Sequence, residues 1–236
     1  MKTQSRSGPQ SIPDFNPARA GRKWLAYFDL LAWSRFCENA DLQTIYGVYK
    51  AVLEKLESKA KGWPKLARAW ASDTFMFYTS DDSPDAFQTI DHVSRSFQAL
   101  MLKEEIPMRG ALVCDDLYAD EDSRIFFGRA LVEAHKYAEG QDWIGLVLAP
   151  SAERRATELG LLPSAFYRAW PVCFKKEAVE NLQAFVLDSI HLSPAGGDAL
   201  RKLAQMSNRV QQADVKIKYT RTIKFIKRDA AEHAQP

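Results

Sequence analysis

Lys23-Trp24-Leu25-Ala26-Tyr27-Phe28-Asp29-Leu30-Leu31 is a short apolar run of the kind that forms a buried strand. Apart from Lys23 at its edge, its one charge is Asp29. Burying a carboxylate in an apolar strand is costly unless something pairs with it. Asp29 therefore either caps the helix that follows or belongs to a charged site. Further on, 66–71 and 74–79 flank Ser72-Asp73 and read as a β-hairpin with Asp73 at its turn. Taken alone, Ser-Asp is an ordinary turn pair. If the first strand lies beside the hairpin, however, the two carboxylates converge at one end of a sheet. Two such groups suit Mg²⁺ or Mn²⁺ when the remaining ligands are substrate phosphates and water. The N–H groups after Asp29, at the entry to the next helix, suit phosphate oxygens.

Outward from these strands the pattern alternates. Residues 33–61 carry Leu42, Ile45, Val48, Tyr49, Val52, Leu53 and Leu56 at helical spacing. Asp41 is placed to cap a second helix within that stretch. Residues 82–105 form another amphipathic helix, 107–117 a strand containing Arg109-Gly110, and 125–127 a short neighbouring strand. A helix over 128–139 ends at Gly140, and 143–148 is a strand. The order β-α-α-β-β-α-β-α-β matches an α/β (α+β) fold, a ferredoxin-like or palm core with a mostly antiparallel sheet flanked by helices. After Pro150 come a helix (152–160), a strand (167–174) and a helical C-terminal region. Within that region, 215–226 fits a strand and a helix about equally well.

The 236 residues suit one large domain, with 46% apolar and 26% charged residues and a formal charge of +2. That balance creates no strong field toward nucleic acid or membrane. No apolar run approaches the roughly 20 residues of a membrane helix. Residues 1–22 are polar, lack the apolar core of a secretory signal, and read as a flexible arm. Residues 23–227 read as one domain with a C-terminal extension from about 151, and 228–236 as a frayed tail. Cys37, Cys114 and Cys173 have neither disulfide nor zinc spacing, and read as small buried hydrophobes in a reducing cytoplasm. His92, His135, His191 and His233 are equally scattered. Gly196-Gly197-Asp198 reads as a loop and cap.

Four segments, in order, resemble class III nucleotidyl cyclases. Phe28-Asp29-Leu30-Leu31-Ala32-Trp33-Ser34 is similar to the first metal motif of that family, and Ser72-Asp73-Thr74-Phe75-Met76 to its Gly-Asp-Ala-Phe-Met hairpin. Met108-Arg109-Gly110-Ala111-Leu112-Val113 resembles the strand written Arg-x-Gly-Ile-His. Phe127-Gly128-Arg129-Ala130-Leu131-Val132-Glu133-Ala134 resembles the segment opening the dimer-facing helix. The agreement spans about 24–148. More narrowly, 109–113, 117–120 and 126–134 resemble a divergent bacterial branch that includes the Pycsar pyrimidine cyclases of antiphage defence.

The resemblance implies that Asp29 and Asp73 hold two Mg²⁺ or Mn²⁺ ions and that Leu30, Leu31 and Ala32 offer backbone N–H groups to phosphate. Arg109 would lie near the leaving pyrophosphate; a structural salt bridge is its other reading. Trp33, with Tyr46 and Tyr49, would narrow a base pocket or serve as core. The purine-reading lysine of the family falls at Ala69, and its Asn/Arg helix pair falls at Glu133 and Tyr137. Glu133 and Tyr137 would border a base site or a helix interface, and Arg129 or Lys136 would replace the missing arginine. The implied reaction is attack of a ribose 3′-hydroxyl on its own α-phosphate, giving a 3′,5′-cyclic nucleotide and pyrophosphate. The implied assembly is a cytoplasmic homodimer taking a nucleoside triphosphate, with cyclic UMP or cyclic CMP as product and a separate effector protein. Two other functions fit the same residues: a non-catalytic regulator that keeps the fold and dimer, and a palm-type nucleotidyl transferase.

Overall fold

The computed structural model describes residues 14–60, 66–176, 179–185 and 198–233. After a 3-10 turn at Pro17–Arg19, the elements run β1 (Ala20–Leu30), α1 (Trp33–Asn39), α2 (Leu42–Ala60), β2 (Leu66–Ala71), β3 (Thr74–Thr79), α3 (Pro84–Lys103) and β4 (Met108–Asp120). Then follow β5 (Ile125–Phe127), α4 (Arg129–Gly140), β6 (Leu146–Leu148), α5 (Pro150–Glu158), β7 (Tyr167–Cys173), β8 (Val179–Phe185), α6 (Asp198–Arg209) and α7 (Ala213–His233). One sheet in the order β2-β3-β1-β4-β6-β8-β7 carries them, with β5 paired to β4. Every strand pairing is antiparallel except β4–β6.

β1 lies at the centre because its residues are apolar on both faces. Trp24, Ala26, Phe28 and Leu30 pack with Phe75, Phe77, Phe97 and Ile90 beneath α2 and α3. Leu25 and Tyr27 face the other way, with Tyr78, Ala111, Val113 and the small α4 residues Ala130, Ala134 and Ala138. A fully buried ring such as Phe28 contributes about 1.5–3 kcal/mol. Two glycines permit the close approach of neighbouring segments. A Cβ on Gly110 would stand 2.4 Å from the Phe28 ring. Gly128 has φ +141° and would place a Cβ 2.3 Å from the Asp116 carbonyl oxygen, so only glycine can start α4 here.

Several expectations change. β1 begins at Ala20, inside the expected arm, and Arg19 is ion-paired with Asp120 and Asp122. Residues 1–13 of that arm lie outside the described residues. Residues 33–61 divide into α1 and α2, with Asp41 Oδ1 accepting the Thr44 N–H (2.8 Å) at the second start. The strand expected over 143–148 is limited to Leu146–Leu148; Trp143 and Ile144 are buried without pairing in the sheet. β8, unforeseen in the sequence, carries the sheet beyond β6, so the C-terminal third completes the same sheet. Residues 215–226 are helical, within α7. Thr222 Oγ1 accepts the Ile144 N–H (2.9 Å), and Lys218 and Arg221 pair with Asp142, fixing the helix on the core. α7 runs on through 228–233, where a frayed end was expected. Cys37 is exposed rather than buried; Cys114 is buried and Cys173 half-buried. Asp198 opens α6, while Gly196 and Gly197 lie outside the described residues.

Candidate active site

The end of β1 brings the two aspartates together. Asp29 is opposite Thr74 of β3 on one side and Arg109 of β4 on the other. Asp73 immediately precedes Thr74, in the tight turn where Ser72 takes φ 54°. The Leu30 N–H donates to the Asp73 carbonyl (3.1 Å), which pins the hairpin turn to the strand. The side chains of cross-strand partners share a sheet face. Arg109, Asp29 and Thr74 therefore form one row across three strands, and Ala111, Tyr27, Met76 and Ala69 the next, across four.

Asp29 is 7% exposed and Arg109 5%. Arg109 Nε and Nη2 both donate to Asp29 Oδ2 (2.7 and 2.6 Å), and Nη1 donates to the Gln141 carbonyl (2.7 Å). Burial pushes the Asp29 carboxyl up from its ordinary range. Arg109 opposes that shift, while the charges of Glu139 and Asp73 add to it. Asp73 is half-buried, and its carboxylate has no hydrogen-bond or ion-pair partner among the described residues.

Other groups surround this pair that carried no motif. Tyr27 Oη donates to Glu139 Oε1 (3.0 Å) and lies 3.3 Å from Thr74 Oγ1; its pKa is pushed up to about 12, chiefly by burial. His135 Nε2 reaches the same Glu139 oxygen at 3.0 Å. Lys175 arrives through the Gln141–Phe174 bridge and a bond from its own N–H to the Gly140 carbonyl (2.9 Å). Burial lowers the pKa of its ammonium and Arg109 adds to that, against the opposing pull of Asp29 and Glu139. Glu139 and Lys175 become neighbours of Asp29 only through the packing of α4 and the end of β7. The sole clue in the sequence was their charge.

The remaining expected residues are placed differently. The Leu30 and Leu31 N–H groups are already used, the second by the Pro107 carbonyl (2.8 Å), so they do not face phosphate in this conformation. Ala32 stands in the left-handed region (φ 63°) at the start of α1. Trp33 is 8% exposed and packs on Phe36 and Tyr49 beneath the opposite face of the sheet, while Tyr46 is exposed. Arg109 is committed to Asp29, which is the structural salt bridge of its second reading. Tyr137 is turned into its own chain against Phe174, with a bond to Glu180, and so presents no base-reading surface. Glu133 Oε1 accepts the Ser151 N–H (3.1 Å) at the start of α5. Arg129 is exposed and pairs with Asp115 and Asp116. The outward face of α4 instead carries Arg129, Val132, His135 and Lys136.

Among the described residues, no group of three or more His, Cys, Asp or Glu side chains is placed to hold a metal. A hard cation that draws most of its ligands from phosphate and water still fits the pair. Asp73 has no partner among the described residues, and burial and two neighbouring carboxylates work against the Asp29 charge that Arg109 supports.

The fold has solved counterparts. A rhodopsin-guanylyl cyclase catalytic core with converted specificity, in complex with ATPαS, superposes with TM-score 0.54 at 11% identity, over 70% of this chain and 97% of that one. A dimeric guanylyl cyclase domain of the RhoGC fusion protein from the aquatic fungus Blastocladiella emersonii gives 0.54 at 11%, over 70% and 96%. A bacterial light-regulated adenylyl cyclase gives 0.53 at 9%, over 79% and 98%. The chain has the nucleotidyl cyclase fold. The sheet end where Asp29 and Asp73 converge is the candidate active site. No protein-family model and no curated protein sequence matches the chain. No helix among the described residues is long and apolar enough to cross a membrane.

Proposed function

We propose that the chain is a cyclic mononucleotide synthase. It would convert a nucleoside triphosphate to a 3′,5′-cyclic nucleotide and pyrophosphate. The observation that carries this reading is the convergence of Asp29 and Asp73, tied by the Leu30–Asp73 backbone bond, at one sheet end of a cyclase fold. Asp29 and Asp73 would hold Mg²⁺ or Mn²⁺. Bound there, the ions would supply charge stabilisation to the leaving pyrophosphate and ease deprotonation of the attacking 3′-hydroxyl.

The chain's own residues set the conditions for this chemistry. Arg109 favours the charged form of Asp29 against burial and, anchored on the Gln141 carbonyl, fixes its orientation, acting as a positioning residue. Lys175 is the nearby cation best suited to triphosphate, because no ion pair holds it among the described residues. Tyr27 and Thr74 line the same face and offer hydroxyls to the sugar.

A pyrimidine substrate, giving cyclic UMP or cyclic CMP, is the finer part of the proposal. Ala69 lies on the Asp29 face in the row of Tyr27 and Met76, where the family resemblance places a purine-reading lysine. A site without a hydrogen-bonding partner for a given base cannot favour that base strongly. A homodimer, an antiphage role and a separate effector belong to the same proposal. Phe127 at the end of β5 and Val132 in the first turn of α4, 50% and 73% exposed, support a partner surface there. Action as a cytoplasmic enzyme is also part of it.

A second reading, a non-catalytic nucleotide-binding regulator, is favoured by two observations. Arg109 occupies Asp29 Oδ2, and Tyr137 stands buried at the helix position expected to carry an arginine. The experiment is mass analysis of products from ATP, GTP, CTP and UTP with Mn²⁺. Cyclic UMP or cyclic CMP supports the pyrimidine cyclase, and cyclic AMP or cyclic GMP supports the cyclase without its pyrimidine preference. Linear dinucleotides favour a nucleotidyl transferase. No product from a chain that binds nucleotide favours the regulator.

A further inference from the structure

The segment 141–145 joins α4 to β6 and is no strand itself, apart from the isolated Gln141–Phe174 bridge. Its buried backbone groups need partners from outside the sheet, and α7 supplies them at three consecutive residues. Lys218 Nζ donates to Asp142 Oδ1 (2.6 Å), and Arg221 Nη1 donates to the other carboxylate oxygen and to the Asp142 carbonyl, the latter at 3.2 Å. The Phe225 ring packs on Trp143, with centroids 5.3 Å apart. Thr222, fully buried, accepts the Ile144 N–H (2.9 Å), and its hydroxyl lies 2.9 Å from the Ile144 carbonyl. The near end of the segment is Gln141, also fully buried. Its Oε1 accepts the Trp143 indole N–H, and its Nε2 donates to the Gly110 carbonyl (3.0 Å) and the Tyr137 carbonyl. Its own carbonyl accepts Arg109 Nη1 (2.7 Å), while Arg109 places two more donors on Asp29 Oδ2. Packed and hydrogen-bonded groups therefore run without a gap from α7, through 142–144 and Gln141, to Arg109 and Asp29.

We propose that α7, by gripping 142–144, holds the Arg109 guanidinium on Asp29 and so sets how readily Asp29 takes a cation. The cation part rests on the reading of Asp29 as a metal ligand. A guanidinium on Oδ2 both occupies that oxygen and repels an incoming cation. The firmer the hold on 142–144, the more firmly the Gln141 carbonyl anchors Arg109 there. Thr222 and Asp142 are positioning residues in this scheme: neither touches Asp29, and each acts through the Gln141 carbonyl and Arg109. The C-terminal helix thereby acts on the candidate site as well as covering the core.

The test is the Mn²⁺ affinity of the full chain, measured by calorimetry without nucleotide. Thr222→Val keeps the side-chain shape and removes the hydroxyl. It should tighten Mn²⁺ binding about 2–10-fold, the worth of one hydrogen bond. Thr222→Ser, which restores the hydroxyl, should bind like wild type. Asp142→Asn, at a position 19% exposed that the fold tolerates, releases Lys218 and Arg221. It should also tighten binding, although loss of a negative charge by itself would weaken it, so the sign separates the clamp from the general field. In an Arg109→Met background Thr222→Val should leave the affinity unchanged. Affinity at or below that of wild type in either variant would overturn the inference, as would a gain that survives in the Arg109→Met background. If neither wild type nor Arg109→Met binds Mn²⁺, the metal reading of Asp29 fails, and urea unfolding decides the clamp by itself. A Thr222→Val/Arg109→Met chain that loses less stability than the two single variants summed would support it, and losses that add would overturn it.

Discussion

Arg109→Met removes the counter-ion of a carboxylate that stays buried. Asp29 would keep its place opposite Thr74 and lose both donors to Oδ2, while the Gln141 carbonyl would lose its 2.7 Å donor. Breaking a buried pair from one side costs about 3–5 kcal/mol, because the remaining charge is uncompensated. For a chain of this size each kcal/mol lowers Tm by roughly 2–4 °C, so Tm should fall by about 6–20 °C. The double variant Asp29→Leu/Arg109→Met should recover most of the loss, since an apolar pair of similar volume carries no desolvation penalty. Mn²⁺ should raise the Tm of Arg109→Met more than that of wild type, because the variant frees Oδ2 for the cation. Thermal and urea unfolding at neutral pH, with and without Mn²⁺, together read all three. A single variant within about 0.5 kcal/mol of wild type would refute the view that Arg109 compensates a buried charge.

Gly47→Ala should stabilise the chain by about 0.5–1 kcal/mol, because the added methyl meets open space and the helix gains propensity; thermal unfolding checks it. Gly128→Ala should destabilise by 2 kcal/mol or more, since it combines a positive φ with a clash against the Asp116 backbone; the same assay and the far-ultraviolet helix signal report it. Glu105 has its pKa lowered, chiefly by its bond to Lys202. A depressed folded pKa gives stability that is present above the unfolded value and lost as pH falls through the folded one. The Tm gap between wild type and Glu105→Gln should therefore be open at pH 6 and close as pH drops below about 4.5. A gap that persists into acid would contradict it.

Local chemistry decided what could be read in the sequence. β1 and the β2–β3 hairpin were legible because apolar runs flank single charges and because Ser72-Asp73 tolerates the required turn. α2 was legible from its spacing and from Asp41 as a cap. Tertiary pairing decided what was hidden. The partner of Arg109 follows from the β1–β4 register, which no motif states. Tyr137 points inward because the end of β7 brings Phe174 against α4. Glu139 and Lys175 reach Asp29 only through that packing. In 215–226 the apolar positions serve both periods, and the contacts of Thr222 with Ile144 and of Asp142 with Lys218 and Arg221 settle it as helix.

The measurement that tests the central claim most directly is turnover of wild type and Asp73→Asn with Mn²⁺ and the four nucleoside triphosphates, with pyrophosphate and cyclic product followed together. The account predicts equal amounts of pyrophosphate and a cyclic nucleotide from wild type. It predicts none in excess chelator, and none from an Asp73→Asn chain whose unfolding curve matches wild type. Full wild-type turnover in chelator, or unimpaired turnover by Asp73→Asn, would contradict it.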